Sequence, residues 1–575
     1  MYLDDRLLTD SSAVGSVQKI IDSNSAINDS LESANISCGA MNVYKSSFDD
    51  DERQLLNDAG AIIEEEGIVF VGVPIGKDSF IISFVEEKVN ELIGLIEFAV
   101  RVAALDTNQG SQYVLNWLRL TIGPTFNHVL RNVPPRLVKA GAQKLDEAVA
   151  TSVMQLMGLS ETFENASAEE KAQALTLLRL PVNMGGCGFA SQALLAEAAY
   201  LGATASSLHA TVGKETGLGI ATPEPDADLS EHPVLRDFVA ARQALQPFIS
   251  ATLYAKLNPY DLWKKPVHGL QSELSESLHQ HARTRFVATL PTGNALDDRG
   301  RRINAIGQNT PEASAWISGN PLNPRHKMDN YCITEAYRKR LLLPHKLITN
   351  SSATCGGCAA NIDPLGTHAT CCPNVEKSSQ HRSIQEAVKE VIRPHTSILV
   401  NVPRVADYYA RKPTPSGQQE NNTQSQADIG VTLKNTIAGH VTLVDFTVVS
   451  SVKSHPTDYP TAGCVAHGAE KAKVDNYDKR YTIPSDRIIG FGVETCGALG
   501  PAAKRFLWAA AGSTGGPPHL IARRYRLFIQ AISVALQVAM ASGMRRFLGR
   551  CTTARALTPS PESSTPSTVS PTPTL

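Results

Sequence analysis

The stretch "ADIGVTLKNTIAGHVTLVDFTVVSS", residues 427–451, decides how the C-terminal third of the chain folds. Two runs rich in β-branched residues flank a segment containing Asn435 and Gly439, which predicts two antiparallel strands with Asn435 to His440 as their turn. With Lys434 set opposite Val441, Asp428 falls opposite Thr447 and Asp445 falls opposite Gly430. Side chains alternate between the faces of a strand, so both carboxylates then share one face as diagonal neighbours, roughly 7–8 Å apart at the backbone. One bridging divalent cation can span that distance. Mg²⁺ held by paired carboxylates can activate water and steady the charge on a cleaving phosphodiester. A slip of a single residue would separate the two acids onto opposite faces. The competing reading is a pair of solvated strand-end acids.

Residues on either side bear on the same site. Downstream, "AEKAKVDNY" (469–477) places Lys473 and Tyr477 four apart, on one face of a helix. Upstream, the expected helix Ser383–Ile392 offers Glu386 as a further acid on the metal side. Glu494, before "TCGALG", is expected to be structural. A second cluster precedes that helix. "CGGCAANIDPLGTHATCC" (355–372) supplies Cys355 and Cys358 as a C-x-x-C pair, then His368, then Cys372 or its neighbour Cys371, with His381 as a spare candidate. Three thiolates and an imidazole suit tetrahedral Zn²⁺. Its role would be structural, because so short a loop cannot bury enough apolar surface to fold alone. The alternative is a set of reduced, buried cysteines beside an incidental histidine.

At 575 residues the chain exceeds what one core supports. Apolar residues at 42% and charged residues at 19% indicate a folded, soluble protein. The net charge of −2 excludes a molecule that is basic overall, but charge is unevenly spread. Pro501 to Arg550 carries eight Lys/Arg and no acid, and Arg325 to Lys346 carries six against Asp329 and Glu335. Both stretches could meet phosphate. The ten cysteines are irregular in spacing outside the cluster, which suits a reducing nuclear or cytoplasmic location. No secretory signal is expected at the start. Leu527 to Met544 is uncharged, but Gln530, Ser533 and Gln537 recur at helical spacing. That polar stripe predicts an amphipathic packing helix and no membrane span. The Ser/Thr/Pro-rich end should be disordered.

Several pieces line up as a resemblance. Tyr2-Leu3-Asp4-Asp5 resembles the catalytic Tyr-x-Asp-Asp box of reverse transcriptases, and "MNVYKSSF", with Asn42, Lys45 and Ser46, resembles the step that follows it. "GIVFVGVPIG" (67–76) has the composition of a buried strand ending in a sharp turn, and resembles the hairpin closing the polymerase palm. Helical periodicity from Ile82 to about Leu208, "NHVLRNVPP" and "LPVNMGGCGFAS" resemble the thumb, and "ASAWISGNPL…NYCITEAYRKRLLLP" resembles the connector before a zinc knuckle. The hairpin acids resemble the PD-(D/E)xK nuclease signature, with Ala427 for the proline and Thr447 for the lysine. Lys473 and Tyr477 resemble the Lys-x-x-x-Tyr element of its retrotransposon form. Together these resemble the C-terminal part of a non-LTR retrotransposon polyprotein with a restriction-like endonuclease.

The resemblance implies an α+β multidomain chain. Its parts would be a partial palm (1–85), a helical thumb (86–215), a helical connector (216–345) that includes an acidic linker (221–234), and a zinc knuckle (346–382). An α/β restriction-endonuclease-like domain (383–500), a basic C-terminal helix (501–550) and a tail (551–575) would follow. It implies Mg²⁺-dependent nicking of DNA by Asp428, Asp445, Lys473 and Tyr477, with Lys473 as the displaced lysine. It also implies contact with a DNA target and with the element's RNA. Asp4 and Asp5 would be relic polymerase ligands or a frayed acidic terminus. Polymerisation is not expected, because the fingers and a third catalytic aspartate have no counterpart here. Two further expectations stand beside the nuclease: a non-catalytic nucleic-acid-binding relic, and an unselected product with no present role.

Overall fold

Apolar residues recur every three or four positions along much of this chain, and helices dominate accordingly. The computed structural model describes residues 42–44, 49–211, 229, 235–348, 354, 355, 357–372, 377–399, 402–412, 426–433, 440–454, 459, 461–484 and 486–556. The Tyr2–Asp5 box, Lys45, Ser46, residues 434–439 where a turn is expected, most of the expected acidic linker, the side chain of Cys371 and the end of the chain lie outside the described residues. The fold is mixed and mostly helical, at 64%, with small sheets, which is compatible with an α+β class. Two compact units form. One comprises the described residues up to Leu156 with Leu178–Pro181 and Gly188–Phe286, the other Met157–Leu177, Val182–Cys187 and the described residues from Val287 onward.

In the first unit, "GIVFVGVPIG" is a hairpin, Gly67–Phe70 paired antiparallel with Val73–Gly76. Val71 and Gly72 both have positive φ, the geometry of a two-residue hairpin turn that matches strand twist. The expected buried strand is therefore corrected: Val69, Val71 and Ile75 are exposed. Three long helices follow, Asp78–Leu105, Gly110–Asn132 and Pro135–Leu156. Val85, Val89, Leu92, Ile96, Ala99 and Ala103 form the buried stripe of the first.

The second unit contains the 427–451 stretch. Its sheet body is labelled here as α1 (Lys377–Ile392), β1 (Thr396–Ile398), β2 (Ile429–Leu433), β3 (Thr442–Val449), α2 (Cys464–Asp478), β4 (Ile488–Glu494), α3 (Pro501–Gly512) and α4 (Pro518–Ala556). The strands lie in chain order. β2 is antiparallel to β1 and β3, whereas β4 is parallel to β3, with α2 as the crossover that a parallel pair requires. Ile429, Val431, Val444, Phe446, Phe491 and Val493 form one core with α1, α3 and α4. Leu443 and Ile488 join a second core with Tyr477 and Tyr481 from α2 and its end. Gly490 and Gly492 of β4 let α2 lie directly on the strand, since a Cβ at either would come within 2.5 Å of an α2 carbonyl oxygen.

The C-terminal helices are thus part of the sheet body, contributing Phe506, Phe528, Ile532 and Leu536 to its core. α4 is long and apolar enough to cross a membrane, yet 72% of its apolar window is buried inside the protein. Its polar stripe faces protein. Gln530 Nε2 donates to Ser318 O at 3.1 Å, and Ser533 Oγ accepts from Trp316 N at 3.3 Å.

For Arg338, Lys339 and Arg340, three of the six bases in 325–346, the expected phosphate-facing role needs correction as well. Arg338 and Arg340 are buried, and Lys339 donates to Thr495 O at 2.8 Å. Arg340 donates to the carbonyls of Gly186 and Val182 and to Ser314 Oγ. Arg340→Leu would leave those acceptors buried without their charged donor. The expected cost is about 3 kcal/mol or more, seen as a lower midpoint in urea denaturation.

Candidate metal centres

The C-x-x-C turn, one helical turn and the segment between them bring four ligand groups of two types together. Sγ of Cys355, Cys358 and Cys372 and a ring nitrogen of His368 all lie within 4.8 Å of one another. Cys358 Sγ is 3.2 Å from His368 Nε2, and Cys372 Sγ lies 3.7 and 3.8 Å from Cys355 and Cys358. Such a Cys3His cluster could bind zinc. Burial pushes the Cys355 thiol up, but hydrogen bonds from the Gly357 and Cys358 amides and from the neighbouring cysteines outweigh it. The thiol is held below its ordinary range, toward the thiolate that zinc requires.

Local structure explains the convergence. Asp363 accepts the N–H groups of Thr367 and His368 at 2.9 and 2.8 Å, fixing the start of the turn that carries His368. Arg338 Nη1 donates to Leu365 O at 3.2 Å and ties the loop to the helix Asn330–Arg340. Ile348, Ile362 and Ala369 pack with Met544 and Phe547 of α4 beside the ligands. Asp363→Ala should weaken zinc binding by about tenfold, as loss of an outer partner commonly does; competition with a chromophoric chelator would read it.

The second centre lies at the start of β2. The observed ladder pairs Ile429 with Val444 and Val431 with Thr442. It is shifted by two residues from the register expected at Lys434 and Val441. A two-residue shift preserves side-chain facing, so the acids stay together. Continuing the ladder by one step brings Asp428 level with Asp445, closer than the expected diagonal. Beside Asp445 in the register is Gly490, which has no side chain to obstruct α2. Lys473 Nζ donates to Asp445 Oδ1 at 2.9 Å, and Tyr477 OH donates to Asp445 Oδ2 at 2.7 Å.

His381 completes this group, although the sequence reading offered it only as a spare zinc ligand. Its Nε2 lies 3.0 Å from Asp428 Oδ2 and 3.1 Å from Phe446 O. Both are acceptors, so this nitrogen carries the proton. The Phe446 N–H also donates to Asp428 Oδ2, at 2.7 Å. Glu386 is elsewhere, exposed and paired with Lys389 at 3.0 Å. The helical repeat explains the exchange: Gln385, four residues from His381, shares its face and donates to Asp428 O at 3.0 Å. One ligand atom each from His381, Asp428 and Asp445 lies within 4.8 Å of the others.

Electrostatics sets the two acids apart. Burial pushes Asp428 up, but bonds from His381 and the Phe446 amide together hold it below the ordinary carboxylate range. Burial dominates at Asp445 and, with the Asp428 charge, holds it above that range despite Tyr477 and Lys473. The Asp428 carboxylate in turn raises His381. Sequence reasoning also passed over Glu470, a buried carboxylate that accepts the Ala502 and Ala503 amides at 3.0 and 2.9 Å and so fixes the start of α3. Glu494 does the same for α2, accepting the Val465 and Ala466 amides at 2.9 and 3.1 Å.

Compared with known proteins, the chain matches no protein family and no curated protein.

Proposed function

We propose that this protein is a metal-dependent DNA endonuclease of retrotransposon descent, hydrolysing one strand of its target. The observation that carries the reading is the meeting of Asp428, at the start of one central strand, and Asp445, on the other, with Lys473 and Tyr477 on one face of the sheet. Mg²⁺ between the two carboxylates would polarise the scissile phosphate and lower the pKa of an attacking water. Lys473, bonded to Asp445, would supply the cation that the signature has at the position of Thr447. Tyr477 fixes the Asp445 carboxylate through its second oxygen. The Cys3His knuckle and the exposed arginines of α4 would hold nucleic acid. The test is conversion of supercoiled plasmid to open circles with Mg²⁺ present and with chelator. Cleavage by the wild type and none by Asp428→Ala or Asp445→Ala is expected; equal cleavage by all three overturns the site.

A second reading, a nucleic-acid-binding protein without catalysis, draws on one observation. Both carboxylates already have basic partners, His381 and Lys473. That reading predicts metal-independent binding that weakens steeply with salt.

A further inference from the structure

A cleft of about 120 Å³ opens between the turn Pro324–His326, the end of α1 and the first half of α4. It is separate from both metal centres, at the opposite end of α1 from His381. Its floor is apolar, made by Val391, Phe528 and Ala531, all buried. The His395 ring lies against Phe528 with centroids 5.5 Å apart, giving the cleft an aromatic wall. The polar rim is rich in donors. Arg524 is held rigidly, its Nη1 donating to Ala511 O at 3.2 Å and Gly515 O at 2.7 Å. Arg325 lines the cleft too, and Asn323 presents an amide whose Oδ1 is already used in capping the Arg325 N–H at 3.1 Å.

Size and charge together select a ligand class. A dry, closed cavity of about 150 Å³ admits benzene, so this smaller cleft, open on one side, takes at most one six-membered ring and is small for a fused bicycle. Aromatic walls stack on heterocyclic bases, and arginines at a rim meet phosphate through paired donors. Glu390 pairs with Arg325 at 2.6 Å and offsets one of the two guanidinium charges, leaving the rim positive. We propose that this cleft is a pyrimidine-nucleotide pocket, with the ring packed against the Phe528–His395 pair and the phosphate on Arg325 and Arg524. The nucleotide is either free or an unstacked residue of a nucleic-acid strand. The proposal does not depend on the nuclease reading.

The test titrates full-length protein, without added divalent metal, with UMP, AMP and oligo(dT), and follows binding by calorimetry. UMP should bind at least about tenfold tighter than AMP. Ala531→Phe, which fills the floor, should abolish that binding, and thermal denaturation would check that it still folds. Glu390→Gln, which frees Arg325 without touching the cleft, should tighten UMP about threefold, consistent with the modest worth of one exposed charge. Equal affinity for UMP in free form and per site in oligo(dT) identifies a free-nucleotide pocket; much tighter oligo(dT) binding that Ala531→Phe still weakens identifies a strand residue. The proposal is overturned if UMP and oligo(dT) bind Ala531→Phe as well as wild type, or if Glu390→Gln changes nothing while AMP matches UMP.

Discussion

Asp445→Asn should abolish nicking, by about 10³-fold or more, while leaving the protein as stable as the wild type or more so. Asp428→Asn should abolish nicking equally and should lower stability. The shared loss follows because each variant removes one anionic ligand, and several kcal/mol of metal-borne charge stabilisation amounts to that factor. The opposite stability effects follow from surroundings. Burial holds the Asp445 carboxyl above its ordinary value. A group raised in the folded state contributes stability below its unfolded value and loses it as pH rises through the folded one, so at neutral pH ionised Asp445 is a liability that Asn removes. Bonds from His381 and the Phe446 amide outweigh burial at Asp428 and lower it. Its stabilisation is therefore present above the unfolded value of about 4 and fades as pH falls through the folded one. Thermal denaturation from about pH 2 to 8 should show Asp428→Asn falling short of wild type at neutral pH and converging with it only below about pH 4. Nicking should rise with pH as Asp445 ionises, above the ordinary carboxylate range. Retained nicking in both variants, or equal destabilisation by both, would remove the catalytic assignment.

How far this site was legible in the sequence depends on which interaction fixed each residue. The pairing of Asp428 with Asp445 needed only alternation along two strands, and alternation survives a two-residue error in register. The register itself depended on a turn whose length composition does not set. Lys473 and Tyr477 were visible because four residues make just over one helical turn. His381 was hidden because it lies 47 residues from Asp428, and a histidine close behind a cysteine cluster is naturally grouped with it. The basic stretch Arg338–Arg340 misled for a different reason. Local charge density does not reveal that a guanidinium satisfies carbonyls from a segment more than 150 residues away. Likewise Gln530, Ser533 and Gln537 marked a face of α4 correctly, but whether water or protein covers a polar stripe is a tertiary matter.

Removing zinc should unfold the knuckle locally and leave the sheet standing. The four ligands span only residues 355–372, and the cluster around them contains few apolar side chains, chiefly Ile348, Ile362 and Ala369 resting on Met544 and Phe547. That is too little buried surface to order the loop unaided. In small zinc modules the metal contributes about 10–16 kcal/mol of apparent binding free energy, most of it felt as folding. Chelation, or Cys372→Ser, should therefore abolish hydrogen-exchange protection across 357–372 and release the one zinc per chain expected from the Cys3His set. The sheet core around Phe446 and Phe491 draws on α1, α3 and α4, so β2, β3 and β4 should keep their protection. α4 itself should loosen only near Met544, where it loses its partner surface. The reading of these residues as ordinary buried cysteines makes the opposite forecast: no stoichiometric metal, and the same exchange with or without chelator. Convergence of three sulfurs and an imidazole within 4.8 Å is costly to maintain without a cation, because the Cys355 sulfur, held toward its thiolate, would then lack a positive partner. A protein that arrives metal-free and fully protected at 357–372 would therefore leave that convergence without a cause, and the knuckle would have to be held by packing alone.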